Sequence, residues 1–503
     1  MSTPAAPAAS TPEVRTILDP GPVISSRDWP EGLVRSLHVV RIGGAGMSAV
    51  AQLALEAGMS VTGSDSQDGQ FIGPLRAQGA RIGIGFSADL LAPGTDLVVV
   101  STAVRADNPE VVAARERGIP VIHRAAALSG LLGARQVIAI AGTHGKTSTT
   151  AMATLALRGA GEDPAWALGA AVPDLGRNAG FGAEGRPEAG PEGDGYGVVE
   201  ADESDGSFLA FAPEVLVVTN LEADHLDFHG TAENVTAAFE ALTARIPAGG
   251  TLIVCSDDKG ARALGEMAER SGVAVQRYGT GPDADWRVLE EDAGTTGTSL
   301  VLATPHGELR TSLSVVGHHN VLNALGALAA ARAAAPEAAL PALAAGLEPF
   351  TGASRRFDLA GSENGIAVYD DYAHHPREVE AAVAAARGIV RSTGGRVLVV
   401  FQPHLFSRTR AFAAEFAGAL AGADAAWVMP VYAAREDHDP DVTARTITAL
   451  APEGVRALAE GESGASAVAD AARPGDVVLM LGAGDIVETT PSVLAALQDA
   501  ARG

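Results

Sequence analysis

The chain has 503 residues, of which 36 are Lys or Arg and 61 are Asp or Glu, so its formal net charge is −25. Because one domain usually holds about 100–200 residues, this length predicts roughly three domains. The hydrophobic fraction of 47 % excludes global disorder. The negative charge argues against nucleic acid or an anionic membrane surface as a partner, since both would repel the chain. Any bound phosphate must therefore be captured by a local arrangement of groups.

Lysine and cysteine are both rare in this chain. Lys146 and Lys259 are the only lysines, so any chemistry that requires a lysine has two candidates. Cys255 is the only cysteine, which excludes an intramolecular disulfide and a zinc site built from several cysteines. Residues 1–33 are rich in Pro, Ala, Ser and Thr and lack the pattern of a signal peptide, so we expect a disordered tail and a cytoplasmic protein.

After the tail, short apolar runs alternate with Ala- and Leu-rich helical stretches, which predicts an α/β fold. We expect three domains: residues 34–133, which are Rossmann-like, 134–350, which resemble a P-loop ATPase with a mixed sheet and a small β subdomain, and 351–503, which are again Rossmann-like. The predicted strands are Leu37–Ile42, Ser60–Gly63, Asp96–Ser101, Pro120–His123, Gln136–Ala141, Gly197–Glu200, Val215–Asn220, Thr251–Cys255, Ile366–Tyr369, Arg396–Phe401, Ala426–Val431 and Val477–Met480.

The segment QVIAIAGTHGKTSTTAMATLAL predicts a phosphate-binding turn. An apolar strand is followed by a turn with Gly142 and Gly145, and then by Lys146 and Thr147 at the start of a helix. Such a turn points backbone N–H groups at phosphate oxygens, lysine adds a point charge, and the hydroxyl can ligate Mg²⁺. The full P-loop pattern would need glycine at position 140, where Ile140 stands, so the turn is a shortened variant.

The segment VVRIGGAGMSAVAQLAL places a second glycine turn between a strand and a helix. Gly43, Gly44 and Gly46 are followed by Asp65 at the end of the next strand, a pattern that suits a diphosphate with a sugar or base near the acid. The same glycines would also serve close strand–helix packing alone. A nicotinamide dehydrogenase is a competing interpretation, and the separate ATP-type turn counts against it.

Acidic residues follow two strands near the phosphate-binding turn. Glu200 directly ends one apolar run, and Asp224 and His225 follow the next, where a nucleotide-bound Mg²⁺ finds its ligands. We expect the neighbouring acids Asp202, Glu203 and Asp205 to be solvated loop residues. In the third block, YDDYAHHPREV and FQPHLFSRTR each follow a strand, and the predicted loop holds the pairs Asp370–Asp371 and His374–His375. Arg408 and Arg410 suit a carboxylate or phosphate, or lie on a helix surface.

Together these segments resemble the Mur ligases, and most closely the members that add L-alanine. The matching segments, in family order, are GGAGMSAVA, GTHGKTSTT, EADESDGSF, NLEADHLDFH, GHHNVLNALGA, FTGASRRFD, YDDYAHHPREV and FQPHLFSRTR. The resemblance implies three domains, for a UDP-sugar, ATP and an amino acid in that order. It also implies an enzyme of peptidoglycan precursor synthesis. In that reaction ATP phosphorylates the lactyl carboxylate of UDP-N-acetylmuramate, and L-alanine attacks the acyl phosphate.

The resemblance also implies roles for individual residues. Lys146, Glu200, His225, His374 and Arg408 are the expected catalytic residues. Mg²⁺ is expected at Thr147, Glu200 and His225. The residues expected to contact ATP are Gly142, Thr143, His144, Gly145, Lys146, Thr147, Ser148, Asn323, Arg356 and Asp371. The residues expected to contact the other substrates are Gly43, Gly44, Gly46, Met47, Ser48, Asp65, Ser101, Ser204, Tyr372, His374 and Arg408.

Two features separate this chain from relatives within the family. Members that add later residues carry a carbamylated lysine after the loop histidine, whereas the segment FHGTAENVTAAFEAL contains no lysine. Many relatives have arginine after FQPH, whereas Leu405 stands here, which moves any carboxylate contact to Arg408 or Arg410. A recycling member that attaches a preformed peptide and a non-catalytic nucleotide-binding scaffold are the alternatives. The expected state is a monomer or homodimer, without nucleic acid or membrane insertion.

Overall fold

The computed structural model describes residues 34–182, 195–294, 297–352, 357–434, 436–459 and 461–500. The predicted tail of residues 1–33 lies outside them. Their strands form three sheets of five, ten and six strands. The chain divides into two compact units: the first extends to Leu289 and also takes Val301–Leu309 and Leu322–Glu348, and the remainder forms the second. Within the described ranges, no helix is both long enough and apolar enough to cross a bilayer.

The first sheet is parallel and has the order β3-β2-β1-β4-β5. β1 lies between β2 and β4, so the turn after β1 sits where the strand order reverses, the position at which such sheets bind ligands. This confirms the Rossmann-like prediction. The elements are β1 (Ser36–Val40), α1 (Ala45–Glu56), β2 (Ser60–Asp65), α2 (Ile72–Ala77), β3 (Arg81–Ile84), β4 (Leu97–Val100), α3 (Pro109–Glu116), β5 (Val121–His123) and α4 (Arg124–Leu132).

The central sheet is mixed, with the order β15-β14-β13-β12-β11-β10-β6-β9-β7-β8. β6 and β11 match their predicted limits, whereas β7, β8 and β12 were not predicted; β7 and β8 are too short to show a period. The elements are β6 (Gln136–Ala141), α5 (Lys146–Gly159), β7 (Ala165–Ala167), β8 (Ala179–Gly180), β9 (Tyr196–Glu200), β10 (Val215–Val218), α6 (Leu226–His229), α7 (Ala232–Thr243), β11 (Thr251–Cys255), α8 (Lys259–Arg270), β12 (Ala274–Gly279), β13 (Trp286–Ala293), β14 (Thr298–Thr304), β15 (Gly307–Leu313), α9 (His318–Ala334) and α10 (Leu340–Ala345).

The third sheet has the order β16-β17-β21-β18-β19-β20, and only its edge strand β16 runs antiparallel to its neighbour. Asp370 and Asp371 close β17, so the prediction that they share a loop with the two histidines was wrong. The elements are β16 (Asp358–Glu363), β17 (Ile366–Asp371), α11 (Pro376–Thr393), β18 (Val397–Phe401), α12 (Phe406–Ala411), α13 (Ala413–Leu420), β19 (Ala425–Val428), α14 (Ala444–Thr448), β20 (Val455–Ala457), α15 (Gly464–Ala471), β21 (Val477–Leu481) and α16 (Thr490–Ala500).

Candidate active site

The phosphate-binding turn joins β6 to α5, and both of its glycines are required by geometry. Gly142 has φ +130°, and a Cβ there would lie 2.1 Å from Oγ1 of Thr219. Gly145 has φ +81°, and a Cβ there would lie 2.5 Å from Oδ1 of Asn323. Side chains rarely adopt this left-handed conformation, and both positions also lack room for one. Asn323, on α9, thus lies directly against the turn.

The loop after β10 holds this turn in place. The backbone N–H of His144 donates to Oδ1 of Asn220 at 2.8 Å, and Thr219 Oγ1 donates to the carbonyl of His144 at 2.6 Å. The backbone N–H of Glu222 donates to Oγ1 of Thr143 at 3.0 Å. Thr143 and His144, both expected to contact ATP, are therefore also anchors of the turn. Ser148 is buried in the first turn of α5.

The Lys146 side chain folds back over the turn that precedes it. Its Nζ donates to the carbonyl of Gly142 at 2.7 Å and to Oε2 of Glu203 at 2.9 Å. Burial would lower the pKa of the ammonium, but the negative charges of Glu203 and its acidic neighbours raise it above its usual value. Lys146 is therefore a fixed positive charge at the turn.

Glu203 corrects one prediction, because it is not a solvated loop residue. It is 2 % exposed, and burial raises the pKa of its carboxyl although Lys146 opposes the change. His225 Nε2 lies 3.8 Å from its Oε1, and His229 Nε2 lies 2.8 Å from its backbone carbonyl. Glu203 thus links the lysine to the histidine loop.

Asp202 and Asp205 were also expected to be solvated, and both are instead paired across the two sheets of the first unit. Arg124 Nη2 lies 2.6 Å from Oδ2 of Asp202. Burial would raise the pKa of that carboxyl, but the positive charges of Arg124 and Lys146 and the hydrogen bonds from Ser204 together lower it. His123 Nε2 lies 3.4 Å from Asp205, and Oγ1 of Thr102 donates to the same carboxylate at 3.2 Å. Ser204 donates its backbone N–H to Asp202 at 3.0 Å.

The residues expected to hold Mg²⁺ lie around the start of α5. Oγ1 of Thr147 donates to Oε2 of Glu200 at 2.9 Å, and the backbone N–H of Gly169 donates to the same oxygen at 2.7 Å. His225 adopts φ +52° at the start of α6. A hydroxyl, a carboxylate and an imidazole are suitable donors, and the four acids Glu200, Asp202, Glu203 and Asp205 outnumber the cations Lys146 and Arg124. The donor set and its excess negative charge fit a divalent cation.

A cavity of about 330 Å³ lies between the glycine turn after β1 and the acidic loop after β9. Its lining residues are Gly44, Ala45, Gly46, Met47, Ala49, Ser101, Arg124, Leu128, Ala167, Leu168, Gly169, Glu200 and Asp202. It therefore brings together four of the residues expected to bind substrate and one expected metal ligand. Arg124 was not predicted from the sequence. It directly follows β5, and the other candidates were identified because they too follow strands.

Asp65 and Ser48, both predicted to bind substrate, lie outside the cavity wall and make structural contacts, and Gly43 and Ser204 lie outside it as well. Asp65 accepts the backbone N–H of Gly43 at 2.8 Å and that of Ser66 at 2.7 Å, which fixes the glycine turn. Ser48 donates to the carbonyl of Ala45 at 2.8 Å and receives Nδ2 of Asn178 at 3.0 Å. Asn178 was not predicted, since nothing in the sequence links it to α1.

The second unit brings its own candidates together at the carboxyl ends of β17, β18 and β19. The His374 and His404 rings lie 6.0 Å apart, and His404 stacks on Tyr432 at 5.8 Å. His374 Nδ1 lies 3.2 Å from Glu378, which also accepts the backbone N–H of His374 at the start of α11. The ring of Tyr372 contacts that of His374 edge-on at 5.3 Å.

The structure distinguishes Arg408 from Arg410, the two arginines that the sequence left as alternatives, by their exposure. Arg408 is buried on α12, whereas Arg410 is exposed and pairs with Asp439 at 2.6 Å. Leu405 is buried and adopts φ +68° just before this helix. Asp371 accepts the backbone N–H groups of Phe357 and Ala373, each at 2.7 Å. Arg356 lies outside the described residues.

Three family models match the chain: the Mur ligase family catalytic domain over residues 36–136, the Mur ligase middle domain over 140–331, and the Mur ligase glutamate ligase domain over 355–484. UDP-N-acetylmuramate–L-alanine ligase of Paenarthrobacter aurescens is 47 % identical, covering 92 % of this chain and 97 % of that protein. The crystal structure of UDP-N-acetylmuramate–alanine ligase from Thermotoga maritima has TM-score 0.72 and 28 % identity, covering 92 % of this chain and 99 % of that one. A murein peptide ligase from Psychrobacter arcticus has TM-score 0.65 and 25 % identity, with the same coverage of both chains.

Proposed function

This chain belongs to the Mur ligase family, and we propose that it is the ATP-dependent ligase that joins L-alanine to the lactyl carboxylate of UDP-N-acetylmuramate in peptidoglycan precursor synthesis. The observation that carries this proposal is the 47 % identity to an L-alanine ligase along 97 % of that protein. The recycling alternative is not favoured, because the peptide ligase of similar fold is only 25 % identical. The phosphate-binding turn with Lys146 at its end argues against a non-catalytic scaffold.

The chemistry requires activation of a carboxylate, which is a poor electrophile. A carboxylate oxygen attacks the γ-phosphorus of ATP and ADP leaves, so the acyl carbon acquires phosphate as a leaving group. The amine of L-alanine then attacks this carbon and loses a proton, and phosphate departs as the amide forms. Negative charge accumulates on phosphate oxygens in the first step, and fixed positive charge close to them lowers the barrier.

The residues of the first unit supply binding and charge for this step. The N–H groups of the turn and Lys146 bind the β- and γ-phosphates, with Asn323 near the adenine. Thr147, Glu200 and His225 would hold Mg²⁺, which when bound neutralises phosphate charge. Gly142 and Gly145 let the backbone approach the phosphates because neither position has room for a side chain. The glycine turn after β1 binds the sugar nucleotide.

The residues of the second unit bind the amino acid. His374 is oriented by Glu378, and the buried guanidinium of Arg408 suits the carboxylate of L-alanine. The domain limits that we propose are 34–133 for the UDP-sugar, 134–350 for ATP and 351–503 for the amino acid. A cytoplasmic location and a monomeric or homodimeric state stay predictions from the sequence.

An acceptor screen tests the proposal. The purified protein is mixed with UDP-N-acetylmuramate and Mg²⁺-ATP, and L-alanine, glycine, L-serine or the preformed tripeptide is added in separate reactions. We expect ADP release and a product heavier by one alanyl residue with L-alanine. Turnover with the tripeptide but not with L-alanine would identify the recycling ligase instead. No ADP release with any acceptor would contradict both.

A second measurement tests the metal. Chelation of Mg²⁺ with EDTA is expected to abolish ADP release, and added Mg²⁺ should restore it. In the His225→Ala variant the Mg²⁺ concentration for half-maximal rate should rise, because one of three donors is lost. An unchanged Mg²⁺ dependence would show that His225 is not a ligand.

A further inference from the structure

Arg124 lines the cavity but has no role in the reaction steps described above. It is the first residue of α4, directly after β5, and its side chain is 17 % exposed. It lines the cavity together with the glycine turn on one side and with Glu200 and Asp202 on the other. Its side chain therefore reaches both the turn proposed for the sugar nucleotide and the acidic loop beside the phosphate-binding turn.

The cavity wall carries more negative than positive charge. Of the described residues in the cavity wall, Arg124 alone carries a positive charge, whereas Glu200 and Asp202 carry negative ones. An anionic ligand that enters the cavity is repelled by both carboxylates. A guanidinium offers planar paired donors that match a carboxylate, so Arg124 is the group in this wall that attracts such a ligand.

The guanidinium is held in place by two contacts. Its Nη2 lies 2.6 Å from Asp202 Oδ2, and the carboxylate of Asp205 lies 4.0 Å away. A Cβ on Gly46 would lie 2.9 Å from its Nη1 and 3.4 Å from its Cδ, so the arginine side chain lies directly against Gly46 and a larger residue there would displace it. A guanidinium that these contacts hold is already in position before a ligand binds.

The position of Arg124 favours the reacting carboxylate over the diphosphate. Asp202, its partner, is two residues after Glu200, and Glu200 accepts a hydrogen bond from Thr147 at the phosphate-binding turn. The reacting carboxylate must come close to the γ-phosphate, and therefore to this wall. The diphosphate is instead bound by the backbone N–H groups of the turn after β1. Gly44 is the N-cap of α1 there and provides no side-chain hydrogen bond to the first N–H groups of the helix, which can therefore bind an anion.

We propose that Arg124 binds the lactyl carboxylate of the sugar nucleotide and that Asp202 positions its guanidinium. This inference rests on the proposed function, because it requires UDP-N-acetylmuramate as the ligand. Arg124 thereby distinguishes this substrate from a UDP-sugar that lacks the lactyl group.

Calorimetric binding of two sugar nucleotides tests the proposal. UDP-N-acetylmuramate carries the lactyl carboxylate, and UDP-N-acetylglucosamine has the same diphosphate without it. In the Arg124→Ala variant we expect the affinity for the first to fall by about 10- to 100-fold and that for the second to change less than about twofold. Arg124→Lys keeps the charge but not the planar pair of donors, so it should fall in between and guards against a misfolded alanine variant. Arg105→Ala is the matched control, because Arg105 lies in the same domain and is 85 % exposed.

Each outcome separates one explanation from another. Equal losses for both nucleotides in Arg124→Ala and Arg124→Lys would assign Arg124 to the diphosphate and overturn the proposal. Unchanged affinity for UDP-N-acetylmuramate would overturn it as well. Failure of the unmodified protein to bind UDP-N-acetylmuramate would refute the proposed function itself. Results from the variants alone test only the role of Arg124. Weaker binding of UDP-N-acetylmuramate alone supports the proposal.

Discussion

Nζ of Lys146 lies 2.9 Å from Oε2 of Glu203, and these two side chains are 12 % and 3 % exposed. The cation of the phosphate-binding turn is thus neutralised by a carboxylate 57 residues further along the chain. Phosphate oxygens that approach Lys146 compete with Glu203 for it. We therefore expect this pair to affect both the stability of the turn and its affinity for ATP.

Replacement of Lys146 tests whether this charge serves the reaction. In Lys146→Ala we expect kcat/KM for ATP to fall by about 10²–10³-fold, because a fixed charge beside the transferred phosphoryl group is lost. Lys259→Ala is the matched control, since it removes the only other lysine, which is exposed at the start of α8. Steady-state ADP release measures both. Full activity of Lys146→Ala would contradict the assignment and revive the scaffold alternative.

Replacement of Glu203 by Gln tests the energetic link between the pair. Breaking a buried ion pair from one side costs about 3–5 kcal/mol, so we expect Tm to fall by several degrees. In a Lys146→Met background the same substitution should lower Tm much less, because no uncompensated ammonium remains. Thermal unfolding of the four proteins gives the coupling. Equal decreases in both backgrounds would show that the two residues are energetically independent.

Alanine substitutions at Gly145 and Gly161 distinguish the effect of a steric clash on ATP binding from the effect of backbone strain. They have φ +81° and +86°, but a Cβ would meet Asn323 at 2.5 Å at position 145 and nothing within 4 Å at position 161. Gly161→Ala should cost about 1 kcal/mol of stability and leave ATP binding unchanged. Gly145→Ala should in addition weaken ATP binding at least tenfold, as measured by titration with a fluorescent ATP analogue. Similar ATP affinities in the two variants would contradict the steric argument.

Cys255 should be unreactive in the folded protein. It is 4 % exposed, and burial raises its pKa to about 11. Only the thiolate attacks a disulfide reagent, and at pH 8 this pKa leaves about one thiol in a thousand ionised. We expect slow reaction with Ellman's reagent at pH 8, a rate that rises about tenfold per pH unit below pH 11, and rapid reaction in denaturant. Cys255→Ala gives the background, and fast labelling of the folded protein would contradict this prediction.

The sequence by itself determined the features that are contiguous along the chain. The strand β6, its glycines and Lys146 lie within a dozen residues, and a strand, a turn and a helix start each leave a local pattern. The alternation of apolar runs and helical stretches likewise gave the α/β class. Short strands such as β7 were not predicted, because three residues are too few to define a period of hydrophobic residues.

The tertiary structure decided which acids matter. Asp202 and Glu203 stand in a sequence stretch that is typical of a solvated loop. The pairing of β6 with β9 in the central sheet brings Lys146 against Glu203, and the packing of the first sheet against the central one brings Arg124 against Asp202. Their partners lie 78 and 57 residues away, and burial depends on what folds over a residue rather than on its neighbours in the chain. The sequence thus located the phosphate-binding turn, and the fold supplied the charges that surround it.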